Sequence, residues 1–348
     1  MDAARTTFTI GPLFVNLTAP QETLEKLKTD FSLFAGLAYP EKLASQTLNL
    51  VIQIAPSHAS GSGNGKRGFR LFRFRDASCY GIGPKRTVLY NDGAFVETLP
   101  EKTTIGAPSE ARLHEIAYLY LLSKSGELFD FTGLHRIHAL AVTFEKTKQT
   151  SLFLMDSGVG KSTLALSLSR LMTSTRVAYF SDEIPVTDGH ILYPFPIRAA
   201  LSSETLKLFP KLEFEARSAL RKFKRQLFSE KHLLALSQLG PIAKPSRADA
   251  IFICTRNPDS VTPEITKASR FTAFFQIFRS GVVGIGVPQM TEHLLRFNSS
   301  HLLRMTRMAF SRLAASFRLT LSCSCYRFVL TNSPERNVQA LEKELRLA

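Results

Sequence analysis

Short runs of apolar and polar positions at 7–10, 13–17 and 47–55 predict strands, and an amphipathic spacing over 20–34 predicts a helix between them. Strands are also expected at 86–90 and 93–98, joined by Asn91-Asp92-Gly93, a strong hairpin signal because Asn, Asp and Gly tolerate the left-handed turn. A helix follows over 109–122, with Leu113, Ile116, Ala117 and Tyr120 on one side, placed to bridge two domains. Further along, the pattern gives a strand at 138–142, a turn at 145–149 and a returning apolar strand at 152–154. A helix over 164–168 comes next, and a second apolar strand at 176–180. Residues 200–320 read as mostly helical, interrupted by an apolar strand at 250–255. The chain ends with a strand at 326–330 and a helix at 333–345, and no internal repeat is visible.

Between the early strands, His58-Ala59-Ser60-Gly61-Ser62-Gly63-Asn64-Gly65 is loop-forming by composition. Residues 68–77 interleave Phe69, Phe72 and Phe74 with Arg70, Arg73 and Arg75. Such a pattern can stack single-stranded nucleic acid. The favoured reading is a strand whose arginine stems cover a sheet edge, and nucleic acid is disfavoured as a partner. The glycines of 281–286 lack the spacing and the strand–helix setting of a dinucleotide loop, so they read as a connection.

A chain of 348 residues suits two domains. The expected division is a smaller α+β domain over 1–108 and an α/β domain over 109–348. No apolar run approaches the ~18 residues that span a bilayer, and the N-terminus lacks a basic head followed by an apolar core. Cys79, Cys254, Cys323 and Cys325 are too few and scattered for a disulfide framework, and Cys323-x-Cys325 lacks histidines at zinc spacing. A reduced, cytoplasmic protein is the expectation. The net charge of +15 is uneven: 21 basic and 18 acidic residues in 1–200, but 23 and 11 in 201–348. Arg221-Lys222-Phe223-Lys224-Arg225 is the densest cluster, and Arg304, Arg307 and Arg318 can share a helix face opposite Leu303, Phe310, Leu313 and Phe317. This surface is either simply solvated or attracts anions: an acidic peptide, nucleic acid or a membrane.

The chemistry concentrates at 151–164, where a strand, a glycine loop and the first turn of a helix follow one another. Gly158, Gly160, Lys161 and Ser162 fit the end of G-x-x-x-x-G-K-[ST], in which backbone N–H groups surround phosphates, the lysine reaches the β/γ oxygens and the hydroxyl ligates Mg²⁺. Met155 stands where the first glycine is expected, a position at which the chain normally leaves the strand in a conformation side chains resist. The loop candidates are Asp156, Ser157, Gly158, Val159, Gly160, Lys161, Ser162 and Thr163. Asp182 and Glu183 lie 21 and 22 residues after Lys161, at the end of the next strand. An acidic pair there can handle Mg²⁺ or an attacking hydroxyl; a solvated turn is the competing reading.

Met155-Asp156-Ser157-Gly158-Val159-Gly160-Lys161-Ser162 resembles the G-[DP]-S-G-x-G-K-S loop of the HPr serine kinase/phosphorylase superfamily. His138 opening a strand, Ser181-Asp182-Glu183 after the loop, and Asp188 to Arg198 with its Pro194-Phe195-Pro196 segment are similar in order to HPr-kinase-related proteins of peptide-modification pathways. The likeness covers 134–207. The separate downstream signature of true HPr kinase/phosphorylases is not found, which argues against phosphorylase activity and against HPr itself as substrate. The resemblance implies a P-loop kinase domain of HPr-kinase type, with a basic helical C-terminal region. It implies ATP and Mg²⁺ as cofactors and a hydroxyl acceptor, serine in the first place, on a peptide or small protein; an acidic one would suit the basic surface. A homo-oligomer is compatible with it. By the same resemblance Asp182 accepts the substrate proton and Glu183 helps Ser162 hold the metal, although the sequence does not separate the two acidic roles. His138 would orient the phosphate or the acidic pair, or is simply satisfied in the sheet. Arg198 would stabilise transferred charge, or forms a surface salt bridge. A nucleotide-binding regulatory module without turnover and an ATPase with water as acceptor are the alternatives.

Overall fold

The computed structural model describes residues 3–40, 46–54, 70–73, 77–81, 85–156, 158–209, 231–282 and 299–346. Ser157, the 58–65 loop, the 221–225 basic cluster, most of the 281–286 glycine segment and part of 68–77 lie outside the described residues. The chain is mixed α/β, with several mixed sheets, and its described residues divide into two compact units. The first takes 3–132 and the start of a long helix, 299–307; the second takes 133–209, 231–282 and 308–346.

In the first unit the strands are β1 (Ala3–Ile10), β2 (Leu13–Pro20), β3 (Gln46–Ile54), β4 (Arg70–Arg73), β5 (Ala77–Tyr80), β6 (Arg86–Tyr90), β7 (Phe95–Thr98) and β8 (Thr103–Ala107). They form one sheet in the order β1-β2-β3-β8-β7-β6-β5-β4, parallel only at β2–β3 and β3–β8. Helix α1 (Gln21–Phe31) supplies the crossover that the parallel β2–β3 pair requires. The Asn91-Asp92-Gly93 turn forms as expected, with Gly93 at φ 86° and its N–H donating to the Tyr90 carbonyl at 3.0 Å. Helix α2 (Glu110–Phe131) starts at the Ser109 cap and runs past the expected end at 122. Gly11, at φ 58°, is required there: an added Cβ would lie 2.2 Å from the Phe129 ring.

The second unit contains β9 (His135–Arg136), β10 (Ala139–Phe144), β11 (Gln149–Leu154), α3 (Lys161–Leu171), β12 (Val177–Ser181), β13 (Val186–Thr187), β14 (Ile191–Tyr193), β15 (Ala199–Ser202), α4 (Ser203–Lys207) and β16 (Lys231–Leu234). It continues with β17 (Ser246–Arg247), β18 (Ala250–Arg256), β19 (Glu264–Lys267), α5 (Arg270–Val282), the part of the long helix α6 (Ser299–Ser322) from Met308 onward, β20 (Ser324–Leu330) and α7 (Pro334–Glu344). Its main sheet has the order β12-β10-β11-β18-β20-β19. Strand β11 runs parallel to β18, and β18 to β20, whereas β10 is antiparallel to both of its neighbours β11 and β12.

Both faces of this sheet are covered. Leu152, Leu154, Ile251 and Ile253 join Ala273, Ile277 and Leu319 from α5 and α6 in one core cluster. Phe153, on the alternate face, stacks on Phe252 at 4.9 Å, and Phe252 on Tyr326 at 5.1 Å. Burial on two sides explains why the strand reads as a continuous apolar run rather than an alternation. The strand expected at 250–255 forms as β18, but the expectation of a mostly helical 200–320 around it is corrected: β16, β17, β19 and most of β15 also fall there, their brevity hiding any period. The amphipathic reading of α6 is also corrected. Arg304, Arg307 and Arg318 are exposed, but so are Leu303, Phe310, Leu313 and Phe317; the inward residues are Ala315, Ser316, Leu319 and Thr320. Small residues face inward because α6 approaches Gly189 so closely that a Cβ there would lie 2.7 Å from the Ala315 Cα. Gly189, at φ 95°, makes the β13–β14 turn.

Candidate active site

The topology of β10, β11 and β12 builds the site. Because β10 is antiparallel, its first residue lies at the edge where β11 and β12 end: Ala139 pairs with Leu154 and Ala141 with Ser181. His138 just before β10, the loop after β11 and Asp182 just after β12 therefore share one sheet edge. Residues 23 positions before and 21 after Lys161 converge because of this strand arrangement.

Met155 leaves the strand without strain. Among the described residues only Lys148 and Arg346 are non-glycines at positive φ, and the Met155 side chain is buried. The left-handed steps fall later, at Gly158 (φ 89°) and Gly160 (φ 118°). Space does not demand glycine at either, since a Cβ would meet nothing nearer than 4.0 Å; the backbone conformation does. The Val159 N–H donates to the Asp156 carbonyl at 3.3 Å, and Gly160 serves as the cap of α3, accepting from the Leu164 N–H at 2.8 Å. The first N–H groups of α3 have no partner within their helix, which gives this end its affinity for anions. Asp156 is held from outside by a salt bridge to Arg279 of α5, with both side chains more than half exposed.

Lys161 is folded inward, with its Nζ 2.6 Å from His138 Nε2. The same Nζ lies 3.3 Å from His138 Nδ1, so the ammonium sits against the edge of the ring. Asp182 is buried at 1% exposure. Its Oδ2 accepts from the Ser162 hydroxyl at 3.4 Å, while its Oδ1 is buried with no hydrogen-bond partner. Burial, and after it the charge of Glu183, push the Asp182 carboxyl up to about 7, against the opposing pull of Lys161 and Ser162. The Ser181 hydroxyl turns the chain here, accepting from the N–H groups of Glu183 (3.2 Å) and Ile184 (2.9 Å). The Glu183 carbonyl accepts from the Ala139 N–H, which fixes the acidic turn to the start of β10.

A second edge approaches from β15 and α4. The Ser162 hydroxyl also lies 3.3 Å from the Ala200 carbonyl. The Thr163 hydroxyl meets that of Thr205 at 3.0 Å, and Thr205 in turn meets Ser202, the cap of α4. Arg198 is buried at 4% exposure, one residue before β15. Its burial runs against the surface salt-bridge reading. The reasoning from sequence missed Ala200, Ser202, Thr205 and Arg279. The Ser202-x-x-Thr205 spacing is a visible capping signal; nothing in the sequence marks Arg279, whose contact depends on how α5 packs.

As a magnesium site the donor set fits. Among the described residues no three His, Cys, Asp or Glu side chains cluster for metal binding. Mg²⁺ bound with nucleotide needs only one or two carboxylates beside phosphate oxygens and water. The bare Asp182 Oδ1, with Glu183 and the Ser162 hydroxyl, meets that requirement. No protein-family model matches this chain, and no curated protein matches it.

Proposed function

We propose that the second unit is a P-loop kinase domain of HPr-kinase type, which transfers the γ-phosphoryl group of ATP to a hydroxyl, serine first, on a peptide or small protein. The observation that carries the reading is Asp182: a buried carboxyl with one bare oxygen, a proton affinity near neutrality, and a place beside Lys161 and Ser162. Groups tuned in this way cluster where a ligand completes them.

The N–H groups of the loop and of the first turn of α3 bind the phosphates, and Lys161 leaves His138 to reach the β/γ oxygens. Ser162 and the acidic pair would hold Mg²⁺, which would supply neutralisation of the phosphate charge. Asp182 accepts the proton of the acceptor hydroxyl as its oxygen bonds to the γ-phosphorus. The bond from that phosphorus to the β–γ bridging oxygen breaks, and its electrons leave with ADP. His138, once Lys161 has moved, offers a ring nitrogen to the transferring group, and buried Arg198 supplies positive charge from the β15 side.

The test is incubation of the protein with γ-labelled ATP, Mg²⁺ and serine-containing peptides. Label on a serine is the expected result. Free phosphate alone would make it an ATPase, and nucleotide binding with neither product would make it a regulatory module.

A further inference from the structure

Helices α5 and α6 contain six arginines and no aspartate or glutamate over their 13 and 24 residues. Their outer surface is aromatic. Phe271 is 73% exposed and Phe275 51%; on α6, Phe310 is 69% and Phe317 54%. Four such rings leave on the order of 500 Å² of apolar surface, near the upper end for a soluble monomer's largest patch. The rings are continuous: Phe271 contacts Phe275 at 4.6 Å, Phe275 contacts Phe274 at 5.2 Å, and Phe274 contacts Phe317 across to α6 at 6.2 Å. On α6 the stripe Phe310, Leu313, Phe317 and Leu321 keeps helical spacing on the outward face.

We infer that this α5–α6 face docks an acidic amphipathic segment of the polypeptide that receives the phosphoryl group. Two observations select that occupant. Surface arginines with no acidic residue on either helix match a partner carrying carboxylates around an apolar stripe. The face also begins at the site: Arg279, which bridges to Asp156 of the phosphate loop, sits on α5 one turn from Phe275 and two turns from Phe271, about 6 and 12 Å along the axis. A segment lying on these rings therefore places its neighbouring residues at the loop. A bilayer would give no reason for the patch to start there. The inference rests on the kinase reading for what the docked segment receives, but not for the docking.

The experiment uses the full chain and two fluorescein-labelled helical peptides of identical leucine pattern, one with glutamates and one with lysines at the polar positions, each containing a serine. The glutamate peptide is expected to bind at least tenfold tighter than the lysine peptide. Phe275→Ser/Phe317→Ser should lose at least tenfold of that affinity with an unchanged Tm, and Lys161→Ala should retain it. Equal binding of both peptides, or full binding by the double variant, overturns the proposal. So does a face whose substitution abolishes only sedimentation with anionic phosphatidylglycerol vesicles (a membrane surface) or only concentration-dependent self-association. If the peptide binds as expected and no label is transferred with any acceptor, the kinase reading fails and the docking face stands.

Discussion

Two sets of ionisable groups, one in each unit, are built on opposite plans. In the first unit His114 Nε2 lies 2.6 Å from Asp30 Oδ2, and Arg112 holds Asp92 at 2.6 Å and Glu115 at 2.9 Å. Glu115 keeps one oxygen bare and its carboxyl is raised by burial, but a guanidinium sits on the other oxygen. At the β10–β11–β12 edge, Asp182 accepts a long contact from the Ser162 hydroxyl on one oxygen and keeps the other bare, and the Lys161 ammonium lies against the His138 ring. A buried carboxylate oxygen met by a guanidinium is compensated within the fold; a buried carboxyl oxygen with no partner is costly until a ligand completes it.

The largest effect expected is from Lys161→Ala, which should reduce phosphoryl transfer by ~10³-fold or more, because the ammonium is the part of the site that travels with the β/γ oxygens. Calorimetry with ATP should show a matching loss of affinity; unchanged affinity and turnover would remove the loop from the account. Next, Asp182→Asn should lower turnover by ~10²-fold while sparing most ATP affinity, since an amide keeps the shape but cannot take the proton. A more severe Glu183→Gln would exchange the two acidic roles.

Asp182→Asn also tests the contrast through stability. In the folded, metal-free protein the carboxyl is raised from 3.8 to about 7, so between those values the folded state holds a proton that the unfolded chain has lost. The unfolded state binds fewer protons there, and this group's contribution makes stability fall as pH rises from about 4 to about 7. Asp182→Asn should abolish that slope and be the more stable protein at pH 8 by chemical denaturation; an identical pH profile would contradict the buried, unmatched carboxyl. In the matched set the sign reverses. His114→Ala removes the imidazole that Asp30 meets and should cost about 3 kcal/mol of stability, with ATP affinity unchanged on the still-folded variant.

Most of the site's chain segments were legible before their geometry was. Glycines at 158 and 160 before a Lys-Ser pair signal a loop in any setting, and the apolar runs on either side gave β12 to within a residue and the last half of β11. The turn at 145–149 already implied that β10 runs back along β11; what was not legible was that β12 would join its other edge, and that the pairing would set His138 against Lys161. The concern raised by Met155 is answered by backbone rather than composition, because the strained steps come three and five residues later. The inward face of α6 escaped notice for a different reason. Hydrophobicity ranks Phe above Ala, but at the Gly189 contact it is volume that decides which residue faces in.

The smallest effect should come from the one ion pair that touches the loop from outside. Arg279 and Asp156 form a salt bridge in solvent, each more than half exposed. Water screens such pairs, and ordering two exposed side chains offsets much of the attraction, so its worth is at most about 1 kcal/mol. Asp156 also holds the loop by backbone alone, through its carbonyl and the Val159 N–H. Arg279→Ala should therefore leave stability within about 0.5 kcal/mol and ATP affinity within about threefold, against the large losses at Lys161 and Asp182. Titration of the variant with ATP at low and high salt checks this: both affinities should stay near those of the parent protein. A tenfold loss confined to low salt would mean that Arg279 acts on the nucleotide's charge directly, and the line drawn here between buried and exposed pairs would have to be moved to include it.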